Sequence, residues 1–96
     1  MERIRHSDLE ATVRRINQTT NSPMIPWVGG LAGKPNHFTA QIGNYHLSGA
    51  YGGYALHQMV NDGGGVRDLF GGHMPKRELY ERMHAFIRGL ETAKSA

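Results

Sequence analysis

The sequence predicts an α+β domain in which an N-terminal and a C-terminal helix pack on a small antiparallel β-meander of three to four strands. Two observations carry this expectation. Apolar residues recur at three- and four-residue steps near both ends, as Leu9, Val13 and Ile16 and as Leu79, Met83, Phe86, Ile87 and Leu90. Between them, from Pro23 to Phe70, helical periodicity disappears, glycine becomes dense and aromatic residues enter. A chain of 96 residues with 39% hydrophobic and 20% charged residues has enough apolar material to fold, and too little chain to divide. A single domain over 1–96 is expected.

The first helix is read from about Ser7 to Thr20. Ser7 followed by Glu10 fits a capping box, and Asn21-Ser22-Pro23 ends the element. His37 to Ile42, Tyr45 to Ala50 and Gly53 to Val60 read as short strands, separated by Gly43-Asn44 and Tyr51-Gly52. With Tyr51-Gly52 as a two-residue turn, Leu47 faces Leu56, Tyr45 faces Gln58, His46 faces His57, and Tyr54 covers the bare backbone of Gly49. A bulged alternative through Gly52-Gly53 would shift that register. Residues from Pro23 to Pro35 fit either an edge strand or an ordered loop. Trp27 within them is expected as an anchor in the core or at an interface. Pro75 opens the last helix, where its missing N–H costs nothing. Gly89 in its stripe would let another backbone approach, and the tail from about Thr92 is expected to fray.

Composition narrows the function. The chain has no cysteine, which removes disulfides, thiolate nucleophiles and Cys-based zinc sites and favours a cytoplasmic setting. No stretch approaches the ~20 apolar residues needed to span a bilayer, so no membrane partner is expected. A net charge of +3 gives modest attraction to polyanions. At this length a second copy often supplies missing burial, so a homo-oligomer is expected.

The strongest functional signal is the glycine-rich run from Asn61-Asp62-Gly63-Gly64-Gly65 to Gly71-Gly72-His73-Met74-Pro75-Lys76-Arg77. A helix start exposes unpaired N–H groups and a partial positive charge, so cations there are unfavourable unless an anion joins them. Lys76 and Arg77 stand at that position, and flanking glycines let a phosphate approach the backbone. Neutralisation of the two cations by Glu78 and Glu81 on a wet surface is the plainer reading. The run is neither a Walker loop nor a dinucleotide fingerprint. Tyr51, at a turn and hard to bury, is the best candidate for stacking on a base. Candidate ligand-binding residues are Tyr51, Asn61, Gly64, Gly65, His73, Lys76 and Arg77. Two facing imidazoles, His46 and His57, make only half a zinc site, and Ser48 lacks a nucleophile-elbow context. No metal, no cofactor and no catalytic residue is assigned, and the reading is of binding without catalysis.

The blocks from Asn44 to Gly53, Asn61 to Gly65 and Gly72 to Tyr80 resemble small proteins of tailed phages and prophages. The order of Tyr51, Asn61 and Arg77 is similar to the pattern of phage anti-Thoeris sponge proteins, which sequester cyclic-nucleotide-type immune signals. That resemblance implies a bacterial host cell, with Tyr51 stacking on a base, Asn61 bonding the ligand and Arg77 holding a phosphate. Those sponges have a longer β-rich front end than this chain, which starts with a helix. The leading expectation is a non-catalytic counter-defence protein that sequesters a small phosphorylated, cyclic or linear, nucleotide. Alternatives are a nucleic-acid-binding accessory protein that also uses Arg3, Arg5, Arg14 and Arg15, and a protein–protein inhibitor built on Trp27 and the aromatic turns.

Overall fold

The computed structural model describes residues 3–31 and 34–95. Its elements are α1 (His6–Thr19), β1 (Trp27–Leu31), β2 (Lys34–Ala40), β3 (Tyr45–Ala50), β4 (Gly53–Met59), β5 (Val66–Asp68) and α2 (Lys76–Ser95). The α+β class is as the sequence predicts. The strands, however, form two antiparallel sheets, a β1–β2 pair and a β3–β4–β5 meander. β2 and β3 do not form a hairpin because the chain between them follows the end of β4. Ala40 donates its N–H to the Asp62 carbonyl (2.9 Å) and Gly43 donates to Met59 (2.8 Å), so β2 leaves the meander and pairs back onto β1. The segment after Pro23 is thus a strand, and β5 is a further strand inside the glycine-rich run.

The N-cap of α1 is Arg5, two residues before the Ser7 cap that the sequence suggests. Asp8, not Glu10, reaches back to the N-terminal backbone by accepting from the Arg5 N–H at 2.8 Å, while Glu10 pairs with His6 at 2.7 Å. The helix ends in a Schellman arrangement: Ser22 N–H donates to Asn17 (2.8 Å), Asn21 N–H donates to Gln18 (3.2 Å), and Asn21 takes a φ of 56°. Asparagine tolerates that left-handed conformation better than most residues. α2 continues to Ser95 instead of fraying from Thr92. Thr92 Oγ1 donates back to Arg88, and the Lys94 ammonium donates to the Thr19 carbonyl, which fastens the last turn of α2 to the end of α1.

The core forms where both helices cover one face of the meander. Leu9, Val13 and Ile16 of α1 meet Leu79, Met83 and Ile87 of α2 over Tyr45 and Leu56, with Met74 closing the cluster. Gly89 takes no part, since it is exposed and a Cβ built on it would meet open space. The register of β3 on β4 is the one that the two-residue turn dictates, with Leu47 opposite Leu56, Gly49 opposite Tyr54 and His46 opposite His57. Tyr51 and Gly52 have φ values of 54° and 74°, the signature of a type I′ turn.

Asn17 joins the layers. Its side chain is 1% exposed, donates to the Tyr45 carbonyl (2.9 Å) and accepts from the Tyr45 N–H (2.8 Å). In effect a helix side chain replaces a neighbouring strand at this residue of the β3 edge. The β1–β2 pair lies outside the core and exposes Trp27, Val28 and Phe38. Trp27 is therefore not a core residue. The radius of gyration is 14.6 Å, against about 12.5 Å for a compact chain of this length.

Candidate ligand-binding site

The site grows from the turn between β3 and β4. Tyr51 is fully exposed and occupies a left-handed position that suits Asn, Asp or Gly. Its ring stands edge-on to His73 with centroids 6.1 Å apart. His73 Nε2 lies 3.1 Å from Ser48 Oγ, and its ring is 6.0 Å from that of His57, which is itself 6.0 Å from His46. A row of three imidazoles therefore crosses the face of the meander opposite the core.

The crossing of residues 72–75 over the start of β4 brings His73 there. Tyr54 and Met74 exchange both backbone hydrogen bonds at 2.8 Å. Gly53 permits the approach, because a Cβ there would stand 3.1 Å from the Met74 N and O atoms. Upstream, Asp68 turns the chain by accepting from the Phe70 and Gly71 N–H groups, each at 3.0 Å. Burial by itself would raise the Asp68 pKa, but the N–H groups of Phe70, Gly72 and Gly71, with the His57 ring 3.6 Å away, outweigh it and hold this carboxyl below its usual range.

α2 begins immediately beyond His73. Pro75 is the cap residue, its carbonyl accepting from the Leu79 N–H at 3.1 Å, and its side chain offers no acceptor to the first-turn N–H groups. Lys76 sets its ammonium 5.9 Å above the Tyr54 ring. Glu78 pairs along the helix with Arg82 at 3.8 Å. Arg77 is exposed at this same helix start.

The seven sequence-derived residues fall into two groups. Tyr51 and His73 meet at the first end of β4, and Lys76 and Arg77 follow at the start of α2, with the Lys76 ammonium turned to Tyr54 on the core-side face. Asn61, Gly64 and Gly65 lie beyond the other end of β4, about 20 Å away along a seven-residue strand. Asn61 shapes that loop: its Oδ1 accepts from the Gly63 N–H (3.0 Å) and the Gly65 N–H (2.8 Å). Gly64 has a φ of 98° and lies under the Trp27 ring, which a Cβ would meet at 2.6 Å. In one copy, these glycines serve the loop and Trp27.

Sequence reasoning left Ser48 and His57 out of the binding set. The strand register already places both on the face of His46, but only the 72–75 crossing adds His73. Among the described residues no carboxylate meets His73 Nδ1 to orient it as a base toward Ser48, and no group of three His, Asp or Glu side chains is placed to hold a metal. No helix among these residues is long and apolar enough to cross a membrane. The chain matches no family model, no curated protein and no solved structure.

Two other histidines set the pH response. Burial, then the neighbouring His57 charge, lowers the His46 pKa against the opposing effect of a backbone hydrogen bond at Asn44. Burial lowers that of His84, whose ring lies tilted against Tyr80 with centroids 4.3 Å apart, and Arg15 and Arg88 add to the effect. Both rings are neutral in the folded chain at a pH where the unfolded chain, with ordinary values near 6.5, takes up protons. Their contribution is complete above about pH 6.5 and is lost as pH falls through the lower native values. A calorimetric series should show Tm falling from pH 7.5 to pH 5, with a smaller fall in His84→Gln. A Tm that rises over this interval would refute the assignment.

Proposed function

We propose that this chain is a non-catalytic binding protein that sequesters a small phosphorylated nucleotide, in the counter-defence role its sequence resemblance implies. The observation that carries the reading is Tyr51. A tyrosine in a left-handed turn position is less stable than asparagine there by about 1 kcal/mol, and a ring that is 100% exposed returns nothing to the core. Its placement makes sense as a stacking platform. His73 and Ser48 stand beside it as hydrogen-bonding groups, and a phosphate would meet the positive end of the α2 helix dipole with Lys76 and Arg77 in its first turn.

Tyr51→Asn separates this role from folding. It should raise Tm by about 4–8 °C, since 1 kcal/mol moves a domain of this size by that much. The same variant should lose the Tm increase that linear or cyclic nucleotides give the wild type in a thermal-shift screen. At a concentration 100 times Kd that increase reports about 2.7 kcal/mol. If no nucleotide shifts the wild type while a short DNA duplex binds with steep salt dependence, the protein is a nucleic-acid binder instead.

A further inference from the structure

Among the described residues four strands end a sheet, and the outer edges of two of them, β1 and β3, carry matching hydrogen-bonding groups. In β3, Ser48 and His46 direct their backbone groups toward β4, so Tyr45, Leu47 and Gly49 direct theirs outward. Asn17 occupies the outward groups of Tyr45, whereas those of Leu47 and Gly49 have no partner among the described residues. In the β1–β2 pair, the bond from Gln41 N–H to the Pro26 carbonyl (2.8 Å) sets the alternation. Trp27 and Gly29 therefore direct their N–H and C=O groups away from β2. Each edge offers a donor and an acceptor on two residues spaced by two.

The side chains match as well. Beside the β3 edge lies an open cleft of about 410 Å³ walled by Val13, Met24, Pro26, Tyr45 and Leu47, with Arg14 among its polar residues. Strand pairing aligns outward-directed residues with each other, which fixes the faces. Trp27 and Phe38, on one face of the β1–β2 pair, must then lie on the side of Leu47 and Gly49, where the cleft is. Phe38 is 60% exposed and crosses Gly29 in its own hairpin. Within one chain neither Trp27 nor Phe38 lines the cleft.

We propose that the occupant of the β3 edge is β1 of a second copy, paired antiparallel with Trp27 opposite Gly49 and Gly29 opposite Leu47. A two-stranded hairpin alone is marginally stable in water, and this pairing joins it to the meander of the other copy. The exchange is reciprocal and forms a two-fold dimer. It also brings together the two groups of ligand-binding residues. Gly64 lies beneath Trp27, so its loop approaches Gly49 of the other copy, two residues from that copy's Tyr51. The composite site rests on the nucleotide reading, whereas the dimer rests on the edges alone.

The sequence contains no cysteine, so introduced thiols report contacts without interference. In the proposed register Val28 and Ser48 form a non-hydrogen-bonded cross-strand pair, close enough for a disulfide. Mixing Val28→Cys with Ser48→Cys under mild oxidation should give a linked dimer, and neither variant alone should do so. Light scattering should give twice the 10.7 kDa chain mass, and Gly49→Pro, which removes the outward N–H, should give the monomer with unchanged far-UV dichroism. Self-linking of Ser48→Cys, or a wild-type monomer at its highest soluble concentration, overturns the proposal. If Gly49→Pro misfolds, the mixed cross-link decides. A linked dimer that ignores nucleotides supports the assembly and removes the ligand reading. Nucleotide shifts retained in a folded Gly49→Pro monomer overturn the composite site.

Discussion

Asn17→Ala is expected to destabilise the fold by about 2–4 kcal/mol, a large share of the ~5–15 kcal/mol that holds a domain of this kind together. The physical cause is specific. Asn17 is buried and satisfies both backbone groups of Tyr45, at 2.9 and 2.8 Å. Alanine leaves that N–H and C=O in the interior without partners, and each orphaned group costs about 1–3 kcal/mol. Asn17→Asp should recover little, because a carboxylate can accept from the N–H but cannot donate to the carbonyl and adds a buried charge. Urea unfolding followed by far-UV dichroism measures the loss. A change below about 0.5 kcal/mol, the range of ordinary surface substitutions, would mean that α1 does not clasp the β3 edge as described.

Leu56→Ala should cost about as much, in the 2–5 kcal/mol range of buried leucine truncations, for a different reason. Leu56 is 0% exposed and sits between the two helices and the meander, in one cluster with Leu9, Ile16, Leu79 and Met83. Removing its branched end opens a cavity whose walls belong to three elements, so no single element can close it. Its cross-strand neighbour Leu47 is half-buried at the β3 edge, and Leu47→Ala should cost less than half as much. Equal losses at the two positions would show that the edge is as deeply packed as the centre.

Helix periodicity and hairpin register were legible because both follow from local rules. The 3.6-residue repeat sets Leu79, Met83, Phe86, Ile87 and Leu90 in one stripe of α2, of which Leu79, Met83 and Ile87 are buried and Phe86 and Leu90 half-buried, and the two-residue turn at Tyr51-Gly52 fixes every pair between β3 and β4. Capping was less legible. Ser7 and Asp8 both carry acceptors near the helix start, and it is Asp8 that accepts from the Arg5 N–H. The end of α2 depends on the Lys94 bond to Thr19, a contact across 75 positions that no local pattern encodes.

The candidate site divides in the same way. The sequence by itself determined that Tyr51 stands at a turn tip, that His46, Ser48 and His57 share one face, and that cations begin α2, since turn type, strand alternation and helix position are properties of neighbouring residues. Only the tertiary structure decided that His73 joins Ser48 and Tyr51, and that Asn61, Gly64 and Gly65 lie at the far end of β4. It also decided that the five strands among the described residues divide into two sheets, leaving the β1–β2 pair apart from the core. Glycines impose few conformational limits, so a glycine-rich run is compatible with many paths. Here the path is set by long-range bonds, from Ala40 to Asp62 and between Tyr54 and Met74.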